Sequence, residues 1–83
     1  MDMKGREELM EKWKDKAEIL RDSSIPAFIR DIDDNLYFCD IIVVGEKTIT
    51  IHCFGPEQRA GRKYILYWAL IETFREYKEE VAQ

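Results

Sequence analysis

Eighty-three residues suffice for one hydrophobic core and are too few for two, so the chain reads as a single domain, 1–83. Hydrophobic residues make up 46% and charged residues 36%, the balance of an ordinary soluble protein, and the longest apolar run, Tyr64 to Ile71, is too short to cross a membrane as a helix. A formal net charge of −4 supplies no global attraction for nucleic acid or anionic lipid, so any site for a polyanion has to be a local patch.

The charged start Met1-Asp2-Met3-Lys4-Gly5-Arg6 is unlike a signal peptide, and Cys39 and Cys53 are too few for a disulfide scaffold. Both point to a cytoplasmic protein with reduced thiols. A first helix is expected over about 4–22, with Leu9, Trp13, Ala17 and Leu20 on one stripe and Met10 at its edge. Ser23-Ser24-Ile25-Pro26 stops it, because the residue before a proline is pushed out of helical geometry.

A strand follows over about 27–33, then the turn Asp34-Asn35, then a second strand over about 36–44 that is almost entirely β-branched or aromatic. Gly45-Glu46-Lys47 turns the chain back. The third strand, about 48–54, alternates cleanly, with Ile49, Ile51 and Cys53 on one face and Thr48, Thr50 and His52 on the other. These three make an antiparallel meander with one covered face.

Gly55-Pro56 opens the last element, read as a helix from about 56 or 61 to 82. Leu66, Tyr67, Leu70, Phe74, Tyr77 and Val81 share its stripe, while Ile65, Trp68 and Ala69 lie opposite, so its first turns are apolar nearly all round. A strand over Tyr64–Ile71 is the second choice, because the helical period continues through Phe74, Tyr77 and Val81. The fold class expected is therefore α+β in the order α-β-β-β-α, both helices on one face of the meander.

Two residue groups carry the functional reading. Trp68 and Ile65 on the last helix, with Trp13 and Met10 on the first, offer more apolar surface than one small sheet buries, which marks a contact with protein; the alternative is a well-filled core. Arg59, Arg62 and Lys63 sit where a helix would begin, a position that the helix dipole disfavours for cations, so an anion site is a second reading; the alternative there is a solvated cluster paired with acids such as Glu57.

The remaining polar residues do not assemble chemistry. A three-residue turn at Gly45-Glu46-Lys47 would face Asp40 with His52 and Cys39 with Cys53, whereas a two-residue turn breaks both pairings. Even paired, His52 and Asp40 lack a nucleophile, since Cys53 points to the other face. Cys39, Cys53 and His52 do not converge as zinc ligands, and Asp31-x-Asp33-Asp34 lacks the glycine and closing glutamate of a calcium loop. No catalytic residue, metal, cofactor or small-molecule substrate is expected.

The order of elements, with Phe38-Cys39-Asp40-Ile41-Ile42-Val43-Val44-Gly45-Glu46-Lys47-Thr48 running from an aromatic-led strand into a glycine hairpin, resembles the double-stranded-RNA-binding domain over about Leu9 to Phe74. The resemblance implies a phosphate-gripping start to the last helix, with cations at Arg62 and Lys63 and Leu66 in the third cationic position. In the loop where that family enters the minor groove, this chain has the acidic Asp33-Asp34-Asn35. The expected role is thus a non-catalytic interaction module that binds protein, itself or another. The second is weak RNA or phosphate-backbone binding through Arg59, Arg62 and Lys63, and the third a small acidic inhibitor of a nucleic-acid-handling protein.

Overall fold

A computed structural model describes residues 3–78, with side chains from residue 5 onward. Helix α1 runs Met3–Asp22 and buries Trp13, Ala17 and Leu20. Its end is a paired backbone cap: Ser24 adopts a left-handed φ of 56°, Ile25 N–H donates to Leu20 O at 2.9 Å and Ser24 N–H to Arg21 O at 3.2 Å. Serine occupies a place that glycine usually takes.

Five antiparallel strands follow: β1 Ala27–Asp31, β2 Leu36–Val44, β3 Thr48–Gly55, β4 Lys63–Tyr67 and β5 Ile71–Glu76. They form one sheet in the order β4-β3-β2-β1-β5. A single 3-10 turn, Trp68–Leu70, carries the chain from one edge of that sheet to the other. Four residues reach at most roughly 14 Å, whereas the outer strands of a flat five-stranded sheet stand roughly 19 Å apart. The sheet must therefore roll into a partial barrel. Ala27, Ile29, Tyr37, Cys39, Ile41, Ile49, Ile51, Cys53, Ile71 and Phe74 pack into one core with Trp68 and the apolar stripe of α1.

The last helix expected from the sequence is not formed. Its span holds a 3-10 turn at Glu57–Arg59, then β4, the second 3-10 turn and β5, so the order is α-β-β-β-β-β, not two helices on a meander; the part of that helix beyond 78, with Val81, lies outside the described residues. The side chains explain why. Tyr64 and Leu66 are partly buried while Lys63, Ile65 and Tyr67 are exposed, a period of two along β4. Leu70 is 47% exposed although the helical stripe put it in the core.

The hairpin between β2 and β3 settles the register by an unexpected route. Val44 pairs with Ile49, and Gly45 N–H donates to Thr48 O at 2.8 Å, which leaves Glu46 and Lys47 in the turn, the two-residue arrangement that would by itself break both pairings. A bulge between Ile41 and Val43 then shifts the ladder by one, and Asp40 faces His52 and Cys39 faces Cys53 after all.

Candidate functional site

The cationic trio does not converge. Arg59 folds back over the core tyrosines, its guanidinium carbon 4.5 Å from the Tyr37 ring centre and 5.4 Å from that of Tyr64. Its Nη2 donates to Asn35 Oδ1 at 3.1 Å. Lys63 precedes Tyr64 on β4 and so points to the opposite side of the sheet, opposite His52, while Arg62 stands exposed before the strand. Where the resemblance placed the cationic start of a helix there is a loop and an edge strand.

Beneath Arg59 lies a polar cluster that ends β1. The Asp31 carboxylate accepts from the backbone N–H groups of Asp33 and Asn35, both at 2.9 Å, and from Asn35 Nδ2 and the Tyr37 hydroxyl, both at 3.1 Å. Burial pushes the Asp31 carboxyl up, but these hydrogen bonds outweigh it and leave its pKa below the ordinary value. Tyr37 moves to about 12, raised first by burial and then by the charge and hydrogen bond of Asp31. This group holds the turn from β1 to β2 in shape; its acceptors and donors are spent on one another.

Neither thiol is primed for reaction. Burial pushes Cys53 up to about 11 and holds Cys39 well above the usual thiol range. Among the described residues no three His, Cys, Asp or Glu side chains cluster as a metal site, and no helix is long and apolar enough to cross a membrane.

The four apolar residues singled out in the sequence separate into core and surface. Trp13 and Trp68 are core, 7% and 1% exposed. Met10 is partly buried and lines a hollow with Trp68, Tyr67 and Glu7 between α1 and the second 3-10 turn. Ile65 is 68% exposed, the most exposed of the large apolar side chains described. With Tyr67, Leu70 and Ile32, also exposed, it belongs to an apolar surface around the second 3-10 turn, where Ile32 N–H donates to Leu70 O at 2.9 Å. A shallow hollow of about 90 Å³ lies there, lined by Asp31, Ile65, Leu66, Tyr67, Leu70 and Ile71. β4 is also an end strand of the sheet, so its outer backbone edge has no neighbour among the described strands.

A second surface was missed in the sequence. On the outer face of β1, β2 and β3, opposite the buried alternates Ile29, Cys39 and Cys53, stand Phe28, Phe38 and Phe54. Tyr77 lies across them: ring centres are 5.8 Å apart for Phe28–Phe38, 5.1 Å for Phe38–Tyr77 and 5.2 Å for Phe54–Tyr77. Arg75 adds its guanidinium 4.4 Å above Phe28. The signal was present, since an aromatic occupies an outward position on three successive strands, but only once each strand has an assigned inner face.

Compared with known proteins, the chain matches no family model, no curated protein and no solved structure.

Proposed function

We propose that this chain is a non-catalytic module that associates with a second copy of itself through the outer edge of β4. The observation that carries the reading is the conjunction, on one strand, of a backbone edge unpaired among the described strands with the exposed apolar side chains Ile65 and Tyr67. The strand is also self-complementary. A two-fold axis through Ile65 sets Ile65 against Ile65 of the second copy and Lys63 against Tyr67 of the second copy, an apolar pair flanked by two cation–aromatic pairs. No like charges face each other in that register. Closed two-fold dimers are the commonest symmetric assembly, and Leu70 and Ile32 beside the strand extend the apolar contact. The buried, unpaired thiols Cys39 and Cys53 fit a cytoplasmic location.

Light scattering across a concentration series tests the proposal. The expected result is a mass moving toward twice the 9.9 kDa of the chain, and its return to the single-chain value in Ile65→Lys, which places two cations against each other on the axis. A single-chain mass at every concentration overturns the reading. So does a dimer that survives Ile65→Lys.

The RNA reading through Arg59, Arg62 and Lys63 has less support, because Arg59 is held by Tyr37, Tyr64 and Asn35 and Lys63 faces the other side of the sheet.

A further inference from the structure

We propose that the outer aromatic layer of Phe28, Phe38, Phe54 and Tyr77, flanked by Arg75 and Lys78, is a stacking platform for single-stranded nucleic acid. It lies on other residues than the β4 contact and does not depend on it.

The layer is built rather than incidental. The outward face of a small barrel ordinarily carries polar side chains, yet here three adjacent strands each contribute a phenylalanine to one continuous row. Gly55 makes room for the row: a Cβ at that position would lie 2.9 Å from Phe38 Cδ2, so any side chain there would displace the ring. The chain after β5 is fastened over the row, Tyr77 N–H donating to Pro26 O at 2.9 Å. Yet the row is not sealed. Phe54 remains 44% exposed, and a hollow of about 230 Å³ is walled by Phe28, Phe38, Tyr77, Arg75 and Lys78.

The chemistry of the walls selects the occupant. Arg75 and Lys78 are both exposed, and neither has an acidic partner at ion-pair distance among the described residues, unlike Lys14, Arg21 and Arg30. A proline-rich peptide would use the rings and leave the cations idle. An acidic peptide would use the cations and leave the rings idle. A polymer that alternates flat rings with phosphates uses both, because every base has a π-face and each phosphate accepts a guanidinium or ammonium. Bases must be unstacked to lie on side-chain rings, which excludes the duplex as the ligand. A net charge of −4 gives no global attraction for a polyanion, so the contact has to be local to this patch.

The test is fluorescence anisotropy of a labelled oligo-dT of about a dozen nucleotides with the full chain at low and at physiological salt. We expect binding at low salt that weakens with salt along a logarithmic slope of about −1.4 for two phosphate contacts. Phe54→Ala should weaken binding roughly tenfold, and Phe54→Trp should keep it. Arg75→Glu with Lys78→Glu should remove most of both the binding and its salt slope. Thermal melts accompany each variant, so that a loss of fold is separated from a loss of contact; Phe54→Trp guards against the case in which Phe54→Ala fails to fold. Absence of binding at low salt, equal binding to a dA·dT duplex, or indifference to Phe54→Ala in a folded variant each overturns the proposal. Ile65→Lys separates the two proposals, because it should abolish the dimer while leaving oligo-dT binding in place, its added cation being unable to weaken an anion's contact.

Discussion

The indole Nε1 of Trp68 donates to the carbonyl oxygen of Gly45 at 3.0 Å. The Trp68 backbone N–H makes a second bond of 3.0 Å to Lys47 O. Together they tie the turn that joins the two edge strands to the hairpin between β2 and β3, so this one residue closes the rolled sheet and fills its core.

That double role predicts a graded response. Trp68→Phe keeps most of the apolar volume but leaves the Gly45 carbonyl without its donor, a loss of about 1–2 kcal/mol. Trp68→Ala empties a fully buried site and should cost about 3–5 kcal/mol, a large part of the ~5–15 kcal/mol that holds a typical domain together. Urea titrations read both. A Trp68→Phe variant that left stability untouched but dissociated a dimer would instead assign Trp68 to the interface.

Tyr37 predicts a loss of stability in alkali. Its folded value, about 12, stands above the ordinary 10.0 because burial and then Asp31 disfavour the phenolate. A raised folded value means that the unfolded chain releases its proton first. The stabilisation is complete below about pH 10 and is lost as the pH rises toward 12. The difference amounts to roughly 2–3 kcal/mol at most. Urea midpoints measured across that window should fall less steeply in Tyr37→Phe than in the parent chain; parallel slopes would contradict the assignment.

Asp31 supplies the opposite limb. Its folded carboxyl lies below the ordinary 3.8, held there by donors from Asn35, Asp33 and Tyr37 against the cost of burial. Stability from this group is present above the unfolded value and disappears as the pH falls through the folded one. Asp31→Asn replaces one acceptor oxygen with a donor that would face Asn35 Nδ2 or the Tyr37 hydroxyl. A cost of about 1–3 kcal/mol at neutral pH is expected, together with a flatter acid limb in the denaturation profile.

How much of this could be read from the residues depends on how local the determinant is. The strict alternation of Ile49, Ile51 and Cys53 states which face of β3 is inside, and the stripe of Leu9, Trp13, Ala17 and Leu20 states which face of α1 is covered; all are buried except Leu9, which stands 41% exposed. The segment after Gly61 misled because two short strands joined by a 3-10 turn put buried or partly buried side chains at Tyr64, Leu66, Trp68, Ile71 and Phe74, a mixture of two- and three-residue steps that imitates a helical period. The better clue was composition: Tyr64, Ile65, Tyr67, Ile71, Thr73 and Phe74 are all strand-favouring residues. The pairing of β5 with β1 is a long-range contact that no local signal encodes. Without it the edge of β4 that no described strand covers could not be located. Ile65 reads in the sequence as part of an apolar helix face and is exposed for a different reason, as an outward residue of an edge strand.

Gly55→Ala tests whether the aromatic row is packed as a unit. On backbone grounds alone, replacing glycine with alanine stabilises by about 0.4–1 kcal/mol where the native conformation suits both residues, and φ at Gly55 is not among the positive values. The added Cβ, however, would meet Phe38 Cδ2 at 2.9 Å, and that ring packs against both Phe28 and Tyr77. It cannot yield without moving them. The expected outcome is therefore a net loss of about 1–3 kcal/mol, the usual cost of overpacking. Phe38→Leu in the same chain should recover part of it, because a smaller side chain gives the methyl room. A double-mutant cycle read by urea denaturation measures the coupling directly. Strict additivity of the two changes, or a stabilising Gly55→Ala, would mean that the rings are free to rearrange and that Gly55 does not hold the layer in place.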